Sequence, residues 1–473
     1  MGDLQYLNKG LQEVTVKRSE VSFNEPFEKV DEFLLGRGQR KYNQQFFSMY
    51  QHRFNTLSER VLRNAIKKWG DGTKKIDGQT IFRQDKILDI TSGKLCWVIG
   101  TIFCDAKNKL NILQDVEKGT DDILPEIPAS YLDDDEEAVV MLEDESGRAV
   151  LHNQGFLDNN LLVTGCIVGV LGIELQAGIF EIMDVVYPTI APQKALPQGN
   201  STKTVALISG LNIGKEGIND LRMELLKQYL IGEVGSNEDA MYSGTIAELI
   251  IAGDSILPLS ELGGANDSQS FITSNNYGSK NISKYNAESL RKLDEFVNDV
   301  ILSLPVSVMP GHNDPAEICL PQQALHKAMF KNSTSVLGDS RLQRLTNPQW
   351  FEIDGVRILG TSGQNIDDVK KYTKKSLSAI SIMRANLHWQ NFIPTAPDTL
   401  YCYPFEECDP FTFNNEIPHV YFVANQENYE SEEFQLGDNC SVRLVSIPKF
   451  SETGEFVVLN LETLSCNVVR IDI

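Results

Sequence analysis

Four short segments that each close an apolar run carry the side chains best suited to chemistry: Ser209-Gly210-Leu211, Gly253-Asp254-Ser255-Ile256-Leu257, Gly311-His312-Asn313-Asp314 and Ala424-Asn425-Gln426-Glu427. Open α/β sheets bind ligands beyond the carboxyl ends of their strands, so these tips are where a catalytic crevice would form. Carboxylates and imidazoles at such places suit metal-assisted hydrolysis, which needs several ligands for each of two ions ~3.5–4 Å apart. The chain offers Asp254, Asp314 and His312, too few to hold a pair of divalent ions. Gly253, Asp254, Gly311 and Asp314 therefore read as turn and cap residues that shape the loops.

The tips require strands behind them. Val205 to Gly210 and Glu248 to Asp254 are apolar enough to be buried on both faces, and helices are expected from Ile218 to Leu230 and from Ser289 to Leu302. Further strands are expected at 356–360, 419–423, 442–445 and 455–461, with a polar insertion at 260–281. This grammar predicts an α/β layered sandwich over 204–473, preceded by a Pro-, Gln- and Ser-rich linker at 191–203. Upstream, 41–190 reads as a helix over 41–69 followed by β-like runs at 87–90, 96–103, 138–142, 148–151, 161–173 and 178–186, with a hairpin turn at 143–147. Short strands without intervening helices over about a hundred residues suggest a small closed barrel of the OB type. Gly165, Gly169 and Gly172 fit a barrel strand that bends sharply. Residues 1–40 form a polar N-terminal extension.

The 473 residues, 41% hydrophobic and 23% charged, exclude a disordered or collagen-like chain. Lys and Arg number 43 against 65 Asp and Glu, a net charge of −22, which disfavours an independent nucleic-acid binder. A single-stranded DNA binder would also need a basic, aromatic-lined barrel. Instead, Asp121-Asp122 and Asp133-Asp134-Asp135-Glu136-Glu137 make an anionic edge expected to be an exposed loop. No apolar run approaches a membrane span, and Met1 to Lys9 has no secretory signal pattern. The eight scattered cysteines lack metal spacing and read as reduced core thiols.

The order and spacing of the tips resembles the calcineurin-like metallophosphoesterase superfamily over about 204–473. In that family the tips carry Asp-x-His, Gly-Asp-x-x-Asp, Gly-Asn-His-Asp/Glu, a lone His and Gly-His-x-His around two metals. The resemblance puts Ser209 and Leu211 at the first Asp and His, Asp254 at the bridging Asp, and Leu257 at the second carboxylate. It puts His312 at the metal-binding Asn, Asn313 at the leaving-group His with Asp314 beside it, and Asn425 and Glu427 at the last two His. Pro394-Thr395-Ala396-Pro397-Asp398-Thr399-Leu400, Cys402-Tyr403-Pro404-Phe405 and Pro418-His419-Val420-Tyr421-Phe422 sharpen the match. With them the chain resembles the small, B-type subunits of DNA polymerase delta. Many members have a His three residues before Pro-Thr-Ala-Pro, where this chain has Asn391; the nearby His388 reads as a surface or core residue.

The resemblance implies an OB domain packed on a phosphoesterase-like domain that has lost its metals, with no cofactor and no catalysis of its own. It implies a nuclear scaffold that binds the Cys-rich C-terminal region of the catalytic subunit and the N-terminal domain of a third subunit. The scaffold would thereby join synthesis to the sliding clamp on DNA, and it would also serve translesion polymerase zeta. Competing expectations are a B-type subunit of polymerase alpha or epsilon, or an active phosphoesterase or exonuclease. Tyr401, Tyr403 and Phe405 beside the proline turn are candidate interface anchors, against a core reading.

Overall fold

Apolar residues at helical spacing, Leu57, Val61, Ala65 and Trp69, place one face of helix α1 (Phe47–Trp69) against Trp97, Ile167 and Val186. Lys67 and Lys68 in its last turn complement the helix dipole, and Gly70, at φ 71°, ends it. The computed structural model describes residues 17–24, 32–36, 38, 40–41, 45–109, 128–133, 138–176, 178–197, 202–214, 217–258, 286–337, 341–437 and 440–473. The helix starts later than residue 41, just before Met49, the first of its residues to be buried.

The partners of α1 belong to a closed barrel. Strand β5 (Leu95–Asp105) pairs with both β6 (Val139–Glu143) and β8 (Ile167–Gln176), and β7 (Arg148–His152) and β9 (Ile179–Val186) complete the ring. The short strand β4 (Phe82–Arg83) adds to β5, next to a ribbon of β2 (Lys75–Ile76) and β3 (Gln79–Thr80). Three expectations change here. Residues 87–90 are not a strand but a 3-10 turn, Ile87–Asp89, because Asp144 Oδ2 accepts from Ile87 N at 2.8 Å and curls the segment. A short helix, α2 (Gln154–Asn159), does interrupt the strands, started by Asn153, whose side chain accepts from Phe156 N. The 161–173 run becomes a strand only from Ile167, because Gly165 turns at φ 90°.

The rest of the described chain forms two facing six-stranded sheets. One runs β13 (Leu342–Arg344), β12 (Val306–Met309), β11 (Ile246–Ala252), β10 (Thr204–Ile208), β19 (Glu455–Asn460), β20 (Cys466–Arg470). The other runs β1 (Phe23–Asn24), β14 (Gln349–Ile353), β15 (Val356–Thr361), β16 (Val420–Gln426), β18 (Cys440–Pro448), β17 (Glu430–Gly437). Val205, Leu207 and Ile250 from the first sheet pack on Phe351, Ile358 and Phe422 from the second. Helices α3 (Ile218–Ile231), α4 (Asn237–Thr245) and α5 (Ala287–Ile301) flank the first sheet, whose outer core includes Leu226, Leu230, Phe296 and Val297. On the other side, α6 (Gln364–Lys370) and α7 (Ala379–Trp389) share a core with the barrel. Part of the N-terminal segment is built in: Phe23 stacks on Phe351, and the Arg18 guanidinium donates to the carbonyls of Leu230, Ser243 and Ile246.

Two barrel-domain arginines on α1 cross to the sandwich. Arg53 bonds Asp409 and the carbonyls of Pro394 and Ala396, and Arg60 bonds the carbonyls of Thr189 and Phe413. Asp133 pairs with Lys107, whereas Asp121, Asp122 and 134–137 of the acidic segment, like the 260–281 insertion, lie outside the described residues. Among the described residues no helix is long and apolar enough to cross a membrane. Cys96, Cys104, Cys166 and Cys402 are buried free thiols, but Cys408 is exposed, which departs from the core reading.

One buried carboxyl sets a pH dependence. Glu248 on β11 is 1% exposed and shares a 2.7 Å hydrogen bond with Ser307 on the adjacent β12. Burial pushes it up to about 7. A folded-state value above the unfolded one means that the fold favours the protonated acid. Its contribution is complete below the ordinary carboxyl range and is lost as pH rises through 7. Glu248→Gln is therefore expected to raise stability at pH 8 by on the order of 2 kcal/mol and to change it little at pH 5. Urea melts at the two pH values check this.

Candidate functional site

The parallel strands β10, β11 and β12 of one sheet and β15 and β16 of the other all end on the same side, and their tips bond to one another. Asn425, at the end of β16, donates from its backbone N to Ser209 Oγ at 3.0 Å. Its side-chain Nδ2 donates to the carbonyls of Ala252 and Ser362. Ser209 Oγ in turn donates to Pro448 O. The sheets are thus stitched together at the floor of a crevice of about 390 Å³, lined by Asp254, His312, Asn313, Ser362, Asn425 and Lys449. Its apolar wall is Ile318, Leu320, Leu400 and Tyr401.

The left-handed turn at Gly253 (φ 88°) and Asp254 (φ 52°) aims the Asp254 carboxylate along this floor. A side chain at Gly253 would lie 2.0 Å from Ser362 Oγ, so only glycine permits the close approach. Asp254 Oδ1 accepts from Asn313 N at 2.9 Å, and Asn313 Nδ2 reaches Oδ2 at only 3.4 Å. Burial pushes the Asp254 carboxyl up, and neighbouring Asp367 adds to the effect. Asp314 is 1% exposed and turned inward. Its Oδ1 accepts from Ser255 N and Ile256 N, and its Oδ2 from Gly311 N. Burial and the charge of Asp254 push Asp314 up to about 7.

The expected positions separate into three groups. Asp254, His312, Asn313 and Asn425 meet at the crevice. Ser209, Leu211, Leu257 and Asp314 lie buried behind it, and Glu427 is exposed beyond the last tip. Asn391 does not line the crevice; it sits in the turn after α7, where its Oδ1 accepts from Ile393 N. His388 is exposed, its ring against Tyr187 and Phe434. Of the aromatic candidates, Phe405 is buried, Tyr403 is half-buried with its hydroxyl accepting from Lys41 N, and Tyr401 is 37% exposed at the crevice wall.

Ser362, Asp367 and Lys449 are among the crevice residues missed in the sequence. Ser362 follows an apolar strand in Gly360-Thr361-Ser362-Gly363, the same signal that marked the other tips. Lys449 arrives from the end of β18, bridging to Ser209, and nothing in its neighbourhood marks it. The barrel also reaches this side: the buried Tyr131 hydroxyl donates to Asp368, whose other oxygen accepts from Thr399 Oγ1 at 2.7 Å.

The residues present do not fit a two-metal centre. Two of the positions the resemblance assigned to ligands are buried leucines, and the Asp314 carboxylate is taken up by three backbone N–H groups. Among the described residues, no group of three or more His, Cys, Asp or Glu could hold a metal ion.

Family models match both halves of the chain. Residues 45–185 match the family model described as the DNA polymerase delta subunit OB-fold domain, and residues 205–432 match that of the B-type subunits of DNA polymerases alpha and epsilon. The chain is 34% identical over 480 residues to the DNA polymerase delta small subunit of Saccharomyces cerevisiae, covering 94% of this chain and 93% of that one. It is 33% identical over 443 residues to the DNA polymerase delta small subunit of Oryza sativa subsp. japonica, covering 94% and 96%. The DNA polymerase II small subunit of Methanothermobacter thermautotrophicus is 24% identical over 328 residues, covering 67% and 62%.

Proposed function

The chain belongs to the DNA polymerase delta small-subunit family, and from that premise we propose that it acts in the nucleus as a non-catalytic scaffold of the polymerase complex. Its partners in this reading are the Cys-rich C-terminal region of the catalytic subunit and the N-terminal domain of the third, clamp-binding subunit. Contact with the sliding clamp and DNA is indirect, and polymerase zeta is a second assembly. The sandwich is read as a phosphoesterase-like domain without metals, joined through the 191–203 linker to the 41–190 helix and OB domain.

The observation that carries the reading is the inward turn of Asp314. A carboxylate that accepts three backbone N–H bonds holds loops in place and has little left to offer a metal or a substrate. The net charge of −22 agrees, because a bridge whose partners grip the DNA gains nothing from a basic groove of its own. The match to the alpha and epsilon family model reflects the shared sandwich, while full-length likeness favours delta.

Co-purification tests this reading. The purified chain is expected to capture the catalytic subunit's C-terminal region and the third subunit in one 1:1:1 complex. It is expected to carry no stoichiometric transition metal and to cleave no phosphodiester. Two metal equivalents together with nuclease activity that disappears in Asp254→Ala would favour a phosphoesterase instead.

A further inference from the structure

We propose that one outer face of the barrel is the docking site for an amphipathic helix of a partner polypeptide, an inference that rests on the scaffold reading and gives it a surface. Alternation along the barrel strands leads to it. Cys104, Leu142, Ala149, Leu151 and Phe180 are buried in the barrel core, so the residues between them point outward. An outward position that meets water is expected to be polar. Four here are not: Phe103 on β5 stands opposite Met141 on β6, Met141 opposite Val150 on β7, and Val150 opposite Ile179 on β9. They form an unbroken apolar row across four strands, in which Ile179 is exposed and the other three are half-buried, with exposed Val139 alongside.

Another stretch of the outer surface has its cover within the chain. There Leu57, Val61 and Trp69 of α1 pack on Trp97, Ile167 and Leu171. Among the described residues, no member of the row belongs to an apolar core. The row is one side chain wide, and its three steps of about 4.8 Å cover about 14 Å. A helix laid across the strands presents apolar residues at i, i+4, i+7 and i+11 over about 16 Å, which matches it. An extended chain would set a residue on the row only every ~7 Å, because its side chains alternate.

The rim supplies the polarity of the partner. Arg148 pairs with Glu143 at 2.8 Å, Lys109 with Asp398, and Lys107 with Asp133, which leaves the carboxylates of Asp105 and Glu181 as the rim charges without an ion pair among the described residues. They call for Lys or Arg beside the apolar stripe of the helix. Lys109 Nζ and Arg148 Cζ lie 4.5 and 4.7 Å from the Phe103 ring centroid, so the ring is held in place before a partner arrives. A fixed aromatic among aliphatic neighbours suits a polypeptide anchor. A nucleic acid would find one ring, with both of its flanking cations already paired, in place of a stacking series and a basic groove.

The test puts p-benzoylphenylalanine in place of Val150 in the full chain, assembles it with the catalytic and third subunits on primer–template DNA, and irradiates. A cross-link to one partner subunit is expected, in a helical segment with apolar residues at that spacing and Lys or Arg beside them. Met141→Asp and Val150→Asp, which place charge on the row and none in the barrel core, should each weaken capture of that partner at least about tenfold. Thermal melts confirm that each variant is folded, and Met141→Gln and Val150→Thr replace any that is not, with a smaller loss in the same direction. Met241→Asp, at an exposed apolar residue on α4 of the sandwich, should bind as the parent does.

A cross-link to DNA or to a second copy of this chain, no cross-link in a fully assembled complex, or parent-like capture by the folded row variants would overturn the inference. If the parent chain captures both polymerase partners in those cases, the scaffold reading stands without this surface. A parent chain that captures neither partner loses both.

Discussion

Arg53→Ala is expected to destabilise the protein by about 3–5 kcal/mol, because it strips the partner from a carboxylate that has no access to water. Arg53 and Asp409 are each 1% exposed at the side chain, and Nε meets Oδ2 at 2.5 Å. The other two guanidinium nitrogens donate to Pro394 O at 2.8 Å and Ala396 O at 2.7 Å. One side chain of the barrel-domain helix thus satisfies three acceptors of the sandwich. Removing it takes the donor from both carbonyls and from Asp409 Oδ2, leaving the carboxylate only the bond that Oδ1 accepts from Phe411 N, whereas the double change Arg53→Met with Asp409→Leu removes charge from both sides and should recover much of the loss. Chemical denaturation with two probes, one in the barrel and one in the sandwich, should show the transitions separating in Arg53→Ala. A loss below about 1 kcal/mol would mean that the junction is held mainly by its apolar contacts.

Gly165→Ala should be nearly as severe, at about 3 kcal/mol or more, for a steric reason at the same junction. Gly165 has φ 90°, and an added Cβ would lie 2.0 Å from Pro394 O and 2.8 Å from Arg53 Nη1. Backbone cannot swing aside as a flexible side chain could, so the barrel would be pushed off the sandwich. Gly178→Ala is the control. That glycine has a similar φ of 82° but nothing within 4 Å of the added carbon, so it should lose only the left-handed backbone penalty of about 1–2 kcal/mol. Equal losses at the two positions would leave backbone strain as the whole effect and remove the close approach from the account.

The junction was not legible in advance, whereas the strand tips were. Glycine and Asp after an apolar run mark a turn at a strand end by local chemistry alone, and Asp254, His312 and Asn425 were found that way. The barrel strands at Leu95–Asp105 and Ile179–Val186 were equally plain, being apolar runs bounded by turn residues. Arg53 and Arg60 gave no such signal. On a helix, an arginine reads as solvated surface, and only the docking of a second domain, with carbonyls from far along the chain, makes it a buried tie. Strand β17 was missed because Glu430, Glu432 and Glu433 give an edge strand the composition of a loop. Asn391 was placed by its spacing from Pro-Thr-Ala-Pro, but the chain folds back there to bridge Thr412, leaving Ser362 to fill the tip beside Asn425.

The central claim is that this chain acts by joining two partners and performs no step of chemistry itself. A bridge has a signature that a catalyst lacks. As its concentration rises past that of its partners, separate copies occupy each partner, and the tethering that raised the effective concentration of the clamp-binding subunit is lost. The direct measurement is primer extension on a long clamp-loaded template, with catalytic and third subunits fixed and this chain titrated from below to far above their concentration. Product length should rise to a maximum near equivalence and fall at excess, with the same curve for His312→Ala, which removes the crevice's exposed imidazole. A monotonic rise to a plateau, or loss of the maximum in a folded and fully assembled His312→Ala complex, would contradict the scaffold and return the crevice to a chemical role.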